Sequence, residues 1–329
     1  MPFNLGSSSK RTLPFVRDDR TPAAPRGARR GWIGSDEHKQ AFCRSFIETH
    51  RPFRPEDIVW PELDPEGLLR LSALPIWNEA VRTEAETALK VQTLGKVEPD
   101  PLLAEAIALQ GYEEGRHAEI LRLLTAQYGI AVDPFDAPRP PRNPVWEFVS
   151  TGYGECIDSF FAFGMFAIGR RSQYLPEPFI DIFEPIMQEE ARHILFVVNW
   201  VAYLRSRAAW VARPFFDARR LWTLGAQLLE HARNAIRIGG GGDSQEGFTM
   251  TSASAFEDLS PRSFLELCLS ENDRRLAPYD SRLLRPRLVP AAARFALRFI
   301  PNSSGNGKTA APAGPPPPPP ADRSTAWPS

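Results

Sequence analysis

Apolar side chains recur close to every 3.6 residues through most of this chain, and the two-residue alternation of a half-buried strand is weak throughout. Over 74–95 the apolar positions Trp77, Ala80, Val81, Ala85, Ala88, Val91 and Leu94 keep helical period, with Gly95 and Pro99 read as the stop. A second helix is predicted over 100–128. It opens at Asp100-Pro101, an N-cap followed by proline in the first turn, and closes at Gly129. Two further helices follow over 144–171, from Asn143-Pro144, and over 178–209, whose end Ile194 to Leu204 is strongly apolar. Pro214 breaks the pattern, a fifth helix runs over 215–238 into the glycines 239–242, and shorter ones are predicted over 261–274 and 288–299. Residues 36–73 read as an irregular segment wrapping the rest. They hold one short helix near 37–49 and a proline-rich stretch over 52–65, anchored by Trp60 and Trp77.

This pattern predicts an all-α protein: an antiparallel four-helix bundle over 74–209, with accessory helices over 210–300. Residues 1–35 and 301–329 read as disordered tails, the first basic and the second carrying the proline run 315–320. That run suits a solvated polyproline tail or an SH3-like partner.

Composition narrows the possibilities. A hydrophobic content of 43% supports a sizeable core, and a net charge of −1 gives no overall pull toward nucleic acid or an anionic membrane. The cysteines 43, 156 and 268 have neither zinc-site spacing nor a disulfide framework, which suits a reducing compartment. With no secretory h-region and no run of 18 apolar residues, the expected location is the cytoplasm, without a membrane span.

The chemistry enters with a repeat. Glu113-Glu114-Gly115-Arg116-His117 and Glu189-Glu190-Ala191-Arg192-His193 each contain Glu-x-x-His, and each falls inside a predicted helix. Residues three apart share a helix face, so the Glu and His of each pair can converge on one metal ion. The competing reading is a pair of solvated charged turns.

A complete two-metal site needs one carboxylate from each of the other two helices. On the first, Glu79, Glu84 and Glu86 are candidates. Glu84 lies in the apolar stripe of Trp77, Val81, Ala88 and Val91, whereas Glu79 and Glu86 lie roughly 140° and 200° from it at 100° per residue. A turn near residue 98 would set Glu84 opposite residue 112, within one turn of Glu114. On the third helix Glu155 aligns with Phe148, Ser159, Ala162 and Phe166, between glycines 152 and 154 that would admit a close neighbour. Asp158, nearly on the same face, is an extra ligand or a support for one. A metal-bound imidazole usually donates its second N–H to a carboxylate or carbonyl. Glu113 could serve His193 in this way and Glu189 could serve His117, or both could face solvent. Arg116 and Arg192 would then neutralise these acids. Phe148, Phe160, Phe161, Phe163, Phe166 and Phe196 could line an apolar substrate channel or be plain core.

The order Glu84, Glu114-x-x-His117, Glu155, Glu190-x-x-His193 resembles the ferritin-like di-iron carboxylate superfamily. That group includes rubrerythrin, the ribonucleotide reductase small subunit, bacterial hydrocarbon hydroxylases and the p-aminobenzoate N-oxygenase. The resemblance covers about 74–209 and lacks rubrerythrin's Cys-x-x-Cys module. It implies a cofactor of two iron ions, or manganese, and an oxidoreductase that uses O2 or peroxide and an external electron donor to hydroxylate or N-oxygenate a small molecule. The alternatives are ferroxidase or peroxide detoxification, and a non-enzymatic helical binding module. A homodimer is a further possibility within this family.

Overall fold

A computed structural model describes residues 32–74, 76–172, 174–239 and 260–301. Of the expected disordered tails, 1–35 and 301–329, all but 32–35 and 301 lie outside these residues, and 32–35 form a turn that leads into the Ser35 cap of the first helix. Among the described residues the regular secondary structure is all helix, without strands, as the periodicity predicts. The helices are α1 Asp36–Glu48, α2 Pro65–Ser72, α3 Trp77–Val97, α4 Pro101–Gln127, α5 Pro144–Ser172, α6 Glu177–Arg207, α7 Arg213–Gly239, α8 Pro261–Leu276 and α9 Leu288–Ala296.

Side-chain capping starts several of these helices. The Asp100 carboxylate accepts the N–H groups of Leu102 and Leu103, satisfying two of the donors a helix start leaves open. Ser35 caps α1 and Ser260 caps α8 in the same manner. Asp64-Pro65 repeats the arrangement at α2, with Asp64 accepting from Gly67 N–H. This helix falls in a stretch expected to be irregular; its start carries the same Asp-Pro signal as α4, but it is only two turns long.

α3 and α4 form a tight antiparallel pair. A Cβ placed on Gly95 would meet the backbone of Ala108 at 3.2 Å, and one on Gly111 would meet the backbone nitrogen of Gln92 at 3.0 Å. Gly95 is therefore a point of close approach inside α3, not its stop, and the helix continues to Val97. The contacts Gly95–Ala108, Gln92–Gly111 and Ala88–Gly115 share one register. Carried one more turn, it sets Glu84 opposite residue 119. That is two turns from the position 112 expected of a tighter reversal, yet still beside His117.

α5 and α6 are likewise antiparallel. Phe148 packs on Trp200 with ring centroids 5.0 Å apart, Gly152 lies under Val197, and Phe166 meets Phe183 at 5.9 Å. The two pairs pack on each other through α3 with α5 and α4 with α6, while α1 lies across α4 and α6. Most of the main core sits between these layers, with Val91, Ile107, Ile120, Phe148, Phe196 and Trp200 almost fully buried. Phe163 is buried there too, so three of the six phenylalanines near the site are core.

The C-terminal elements are tied on by polar contacts. Arg275, 2% exposed, gives α8 a two-pronged hydrogen bond to Glu184 of α6 at 3.0 and 2.9 Å. Asn199 of α6 accepts the Leu284 N–H at 2.9 Å, donates to Leu284 O at 3.0 Å, and accepts from His38 Nε2–H of α1 at 2.9 Å. The tautomer of His38 follows, because its Nδ1 accepts from the Gly34 amide. Burial lowers the His38 pKa and keeps the ring neutral in this role.

Candidate metal centre

The two repeats meet in the interior between α4 and α6. Glu114 Oε1 lies 2.9 Å from His193 Nδ1 and its Oε2 lies 3.9 Å from His117 Nδ1. Glu190 mirrors this, with Oε1 3.1 Å from His117 Nδ1 and Oε2 3.8 Å from His193 Nδ1. Each motif carboxylate thus spans the two imidazoles, one oxygen toward each. The α3 carboxylate Glu84 reaches to 3.8 Å from His117 Nδ1. Glu84, Glu114, His117 and Glu190 offer ligand atoms all within 4.8 Å of one another, close enough to share an ion.

The cluster's polar atoms are short of partners. Both Glu155 oxygens and the Nδ1 atoms of His117 and His193 are buried without a well-formed hydrogen bond. An orphaned buried polar atom is costly, and an orphaned charge more so. Burial, then the charges of Glu114 and Glu190, push the Glu155 pKa well above the ordinary carboxylate range. Burial also raises Glu84, to about 7, against the opposing influence of His117. Burial acts to lower both histidines, but the surrounding carboxylates outweigh it and raise them well above their usual value. Four carboxylates and two imidazoles facing one small volume match the charge and donor chemistry of two divalent cations. Oxygen and nitrogen ligands of this kind suit a divalent metal ion. The residues therefore fit a metal centre by an observation independent of the motif.

Behind the ligands the supports cross between repeats. His193 Nε2–H donates to Glu113 at 2.9 Å, and His117 Nε2–H donates to Glu189 at 2.9 Å. Arg192 donates to Glu113, and Arg116 donates to Glu189 at 2.5 Å. Each acid thus holds the histidine of the other repeat and is neutralised by that repeat's arginine. Burial alone would raise Glu113, but its bonds to His193 and the charge of Arg192 bring it down to about 2. The same balance lowers Glu189. The arginines stack on aromatic rings, Arg116 on Phe53 at 3.9 Å and Arg192 on Phe46 at 4.7 Å.

Some of these partners carry no sequence signal. His50 adds a hydrogen bond to Glu113 from 63 residues away, and Phe46 and Phe53 lie in or beside the segment that wraps the core. Asp158 is drawn elsewhere, accepting from His231 Nε2–H of α7 at 3.1 Å, while His231 Nδ1–H donates to Gln227 O at 2.7 Å. The pairing raises the His231 pKa to about 9 against the opposing effect of burial.

A cavity of about 870 Å3 opens from the cluster toward α7 and α9. Glu84, Glu114, His117, Glu155 and Glu190 form its polar end. Its walls are mostly apolar, including Trp77, Leu121, Phe160, Phe161, Phe166 and Phe183, with charged side chains such as Arg82, Lys90 and Glu230 also on its lining. Three of the phenylalanines considered as channel lining take that place. No family model, curated protein or solved structure matches the chain.

Proposed function

We propose that this protein is a di-metal carboxylate oxidoreductase built as a ferritin-like four-helix bundle of α3 to α6. Glu84, Glu114, His117, Glu155, Glu190 and His193 would hold two iron or manganese ions. The observation that carries the reading is the crossed placement of Glu114 and Glu190, each with one oxygen toward each histidine. Glu114 and Glu190 would each help to hold both ions, with Glu84 contributing at the His117 end and Glu155 completing the set.

Bound there, two redox-active cations would pass electrons to O2 or peroxide from the organic substrate and from an external electron donor. The chain's own residues do the rest. Glu113 and Glu189 fix the histidine rings with Nδ1 toward the cluster, and Arg116 and Arg192 keep those two acids ionised and in place. The apolar walls exclude water and orient a substrate against the polar end of the cavity. A cavity of this size favours hydroxylation or N-oxygenation of an organic molecule over ferroxidase activity, in which the metal itself is the substrate.

The test is metal content per chain after anaerobic Fe(II) or Mn(II) loading and desalting, followed by an optical record as O2 is added. About two ions per chain with an oxygen-dependent spectral change supports the reading. No retained metal, or loading unchanged in Glu114→Ala and His193→Ala, rejects it.

A further inference from the structure

α7 is amphipathic in the reverse sense from a helix that covers a core. Three of its polar side chains turn inward. Asp217 accepts a two-pronged bond from Arg205 at 2.6 Å, Gln227 donates to Ser150 at 3.2 Å, and His231 pairs with Asp158. Phe216 packs on Trp146, but five large apolar side chains turn outward. Phe215 and Trp222 are each 79% exposed, with Leu221, Leu228 and Leu229 beside them and Trp210 in the turn before the helix. At 100° per residue these helix positions lie on one face about 140° wide.

α9 repeats the arrangement on a smaller scale. Leu288, Phe295 and Phe299 are exposed and fall on one stripe, while Val289 and Ala293 face the interior. The exposed apolar surface of the two helices is roughly 800 Å2, at on the order of 100 Å2 for each of these eight large side chains. That exceeds the few hundred Å2 of an ordinary monomer patch.

Charge narrows what could cover it. α7 and the segment 282–300 together carry ten arginines against two acids, Asp217 and Glu230, in a chain of net charge −1. Arg219 and Arg233 on α7, and Arg287, Arg294 and Arg298 about α9, are exposed. A second copy docking through the same face would set arginine against arginine, because a two-fold interface meets itself. Exposed Trp and Phe among arginines instead match an anionic lipid surface, where the rings enter the interface and the guanidinium groups meet headgroups. The two helices also frame one opening. Leu228 and His231 from α7, and Leu288, Ala292 and Ala296 from α9, line the cavity that reaches the cluster.

We propose that α7 and α9 form a docking face for an anionic bilayer, with the cavity mouth set against it. Among the described residues no helix is long and apolar enough to cross a membrane, so the attachment is peripheral. Resting on the oxidoreductase reading, the substrate class that follows is an apolar chain that partitions into lipid and enters the cavity from the bilayer.

The test is co-sedimentation of the full chain with phosphatidylcholine vesicles, with and without 30 mol% phosphatidylglycerol, at low and at 0.5 M salt. We expect binding at least tenfold stronger to the anionic vesicles, weakened by salt. It should fall at least tenfold in Phe215→Ser/Trp222→Ser and in Arg294→Glu/Arg298→Glu, with circular dichroism unchanged. Glu114→Ala should bind as the unsubstituted protein does, so a failure of the metal reading leaves the docking result standing. Equal binding to neutral vesicles, no binding, or binding unaffected by both double variants overturns the proposal. So does a dimer in analytical ultracentrifugation that Phe215→Ser/Trp222→Ser abolishes without any vesicle binding, which would assign the face to a second copy.

Discussion

Replacing Glu155 with leucine separates the cluster's role in folding from its role in holding metal. Both Glu155 oxygens are buried without hydrogen-bond partners, and burial with two neighbouring carboxylates already disfavours the charge. Leaving such a group unsatisfied costs about 1–3 kcal/mol, and burying a leucine side chain in its place gains about 1.5–3 kcal/mol. After allowance for imperfect fit beside Glu114 and Glu190, Glu155→Leu should stabilise the metal-free protein by about 2 kcal/mol. At about 2–4 °C per kcal/mol for a domain of 150–250 residues, that is a rise in Tm of roughly 5 °C in EDTA. Metal should reverse the order. A ligand that binds only the native state adds about 2.7 kcal/mol at a hundredfold excess over its Kd, and the variant forfeits much of this at the site it weakens. Calorimetric scans in EDTA and in Mn(II) give four melting temperatures that test both halves. Glu155→Leu melting below the unsubstituted protein in EDTA, or an equal metal-induced rise in both proteins, would refute the reasoning.

Three other substitutions probe separate parts of the structure. Glu113→Gln removes the charge between His193 and Arg192, so Mn(II) affinity by titration calorimetry should fall about 10–100-fold, with a stability loss of about 3 kcal/mol in urea. Unchanged affinity would mean that Glu113 is no support for His193. Asn199→Leu strands the His38 Nε2–H and both backbone groups of Leu284, and should cost about 3 kcal/mol by urea unfolding; a loss below 1 kcal/mol would show that the node is dispensable. The His231–Asp158 pair should contribute about 1 kcal/mol, discounted because Asp158 is half-exposed. Because folding raises the His231 pKa from 6.5 to about 9, this contribution is complete below pH 6.5 and is lost as pH rises through 9. Asp158→Asn should therefore flatten the stability profile between pH 7 and 10, and an unchanged profile would assign that slope elsewhere.

Much of the helical framework and the meeting of the two repeats were legible in the sequence because both depend on local spacing. Glu-x-x-His puts two side chains on one helix face wherever the helix goes, and Glu84 and Glu155 stand out as charges inside apolar stripes. Register was not legible. A three-residue connection over 98–100 does not say how far two helices slide, and here the slide is set by glycines 95 and 111, which tolerate close backbone contact. The helix α2 was missed because two turns give periodicity too little length to register. His50 and His231 could not be assigned, since a lone histidine has no pattern and its partner is chosen by long-range packing. The outward apolar face of α7 was hidden for another reason. Periodicity reports that a helix has two faces, and only the packed structure says which one is turned away.

The crossing of the supports also orders events in time. His117 depends on Glu189, and His193 on Glu113, so neither repeat has an oriented histidine until α4 and α6 have met across 76 positions of chain. A newly made α3–α4 hairpin could not retain a metal ion in this geometry. Under the proposed function, capture would follow collapse of the whole core, and an ion arriving then would find its ligands already walled in. Its way in would be the cavity, so that one passage would serve first as the loading route for the metals and afterwards as the path for substrate.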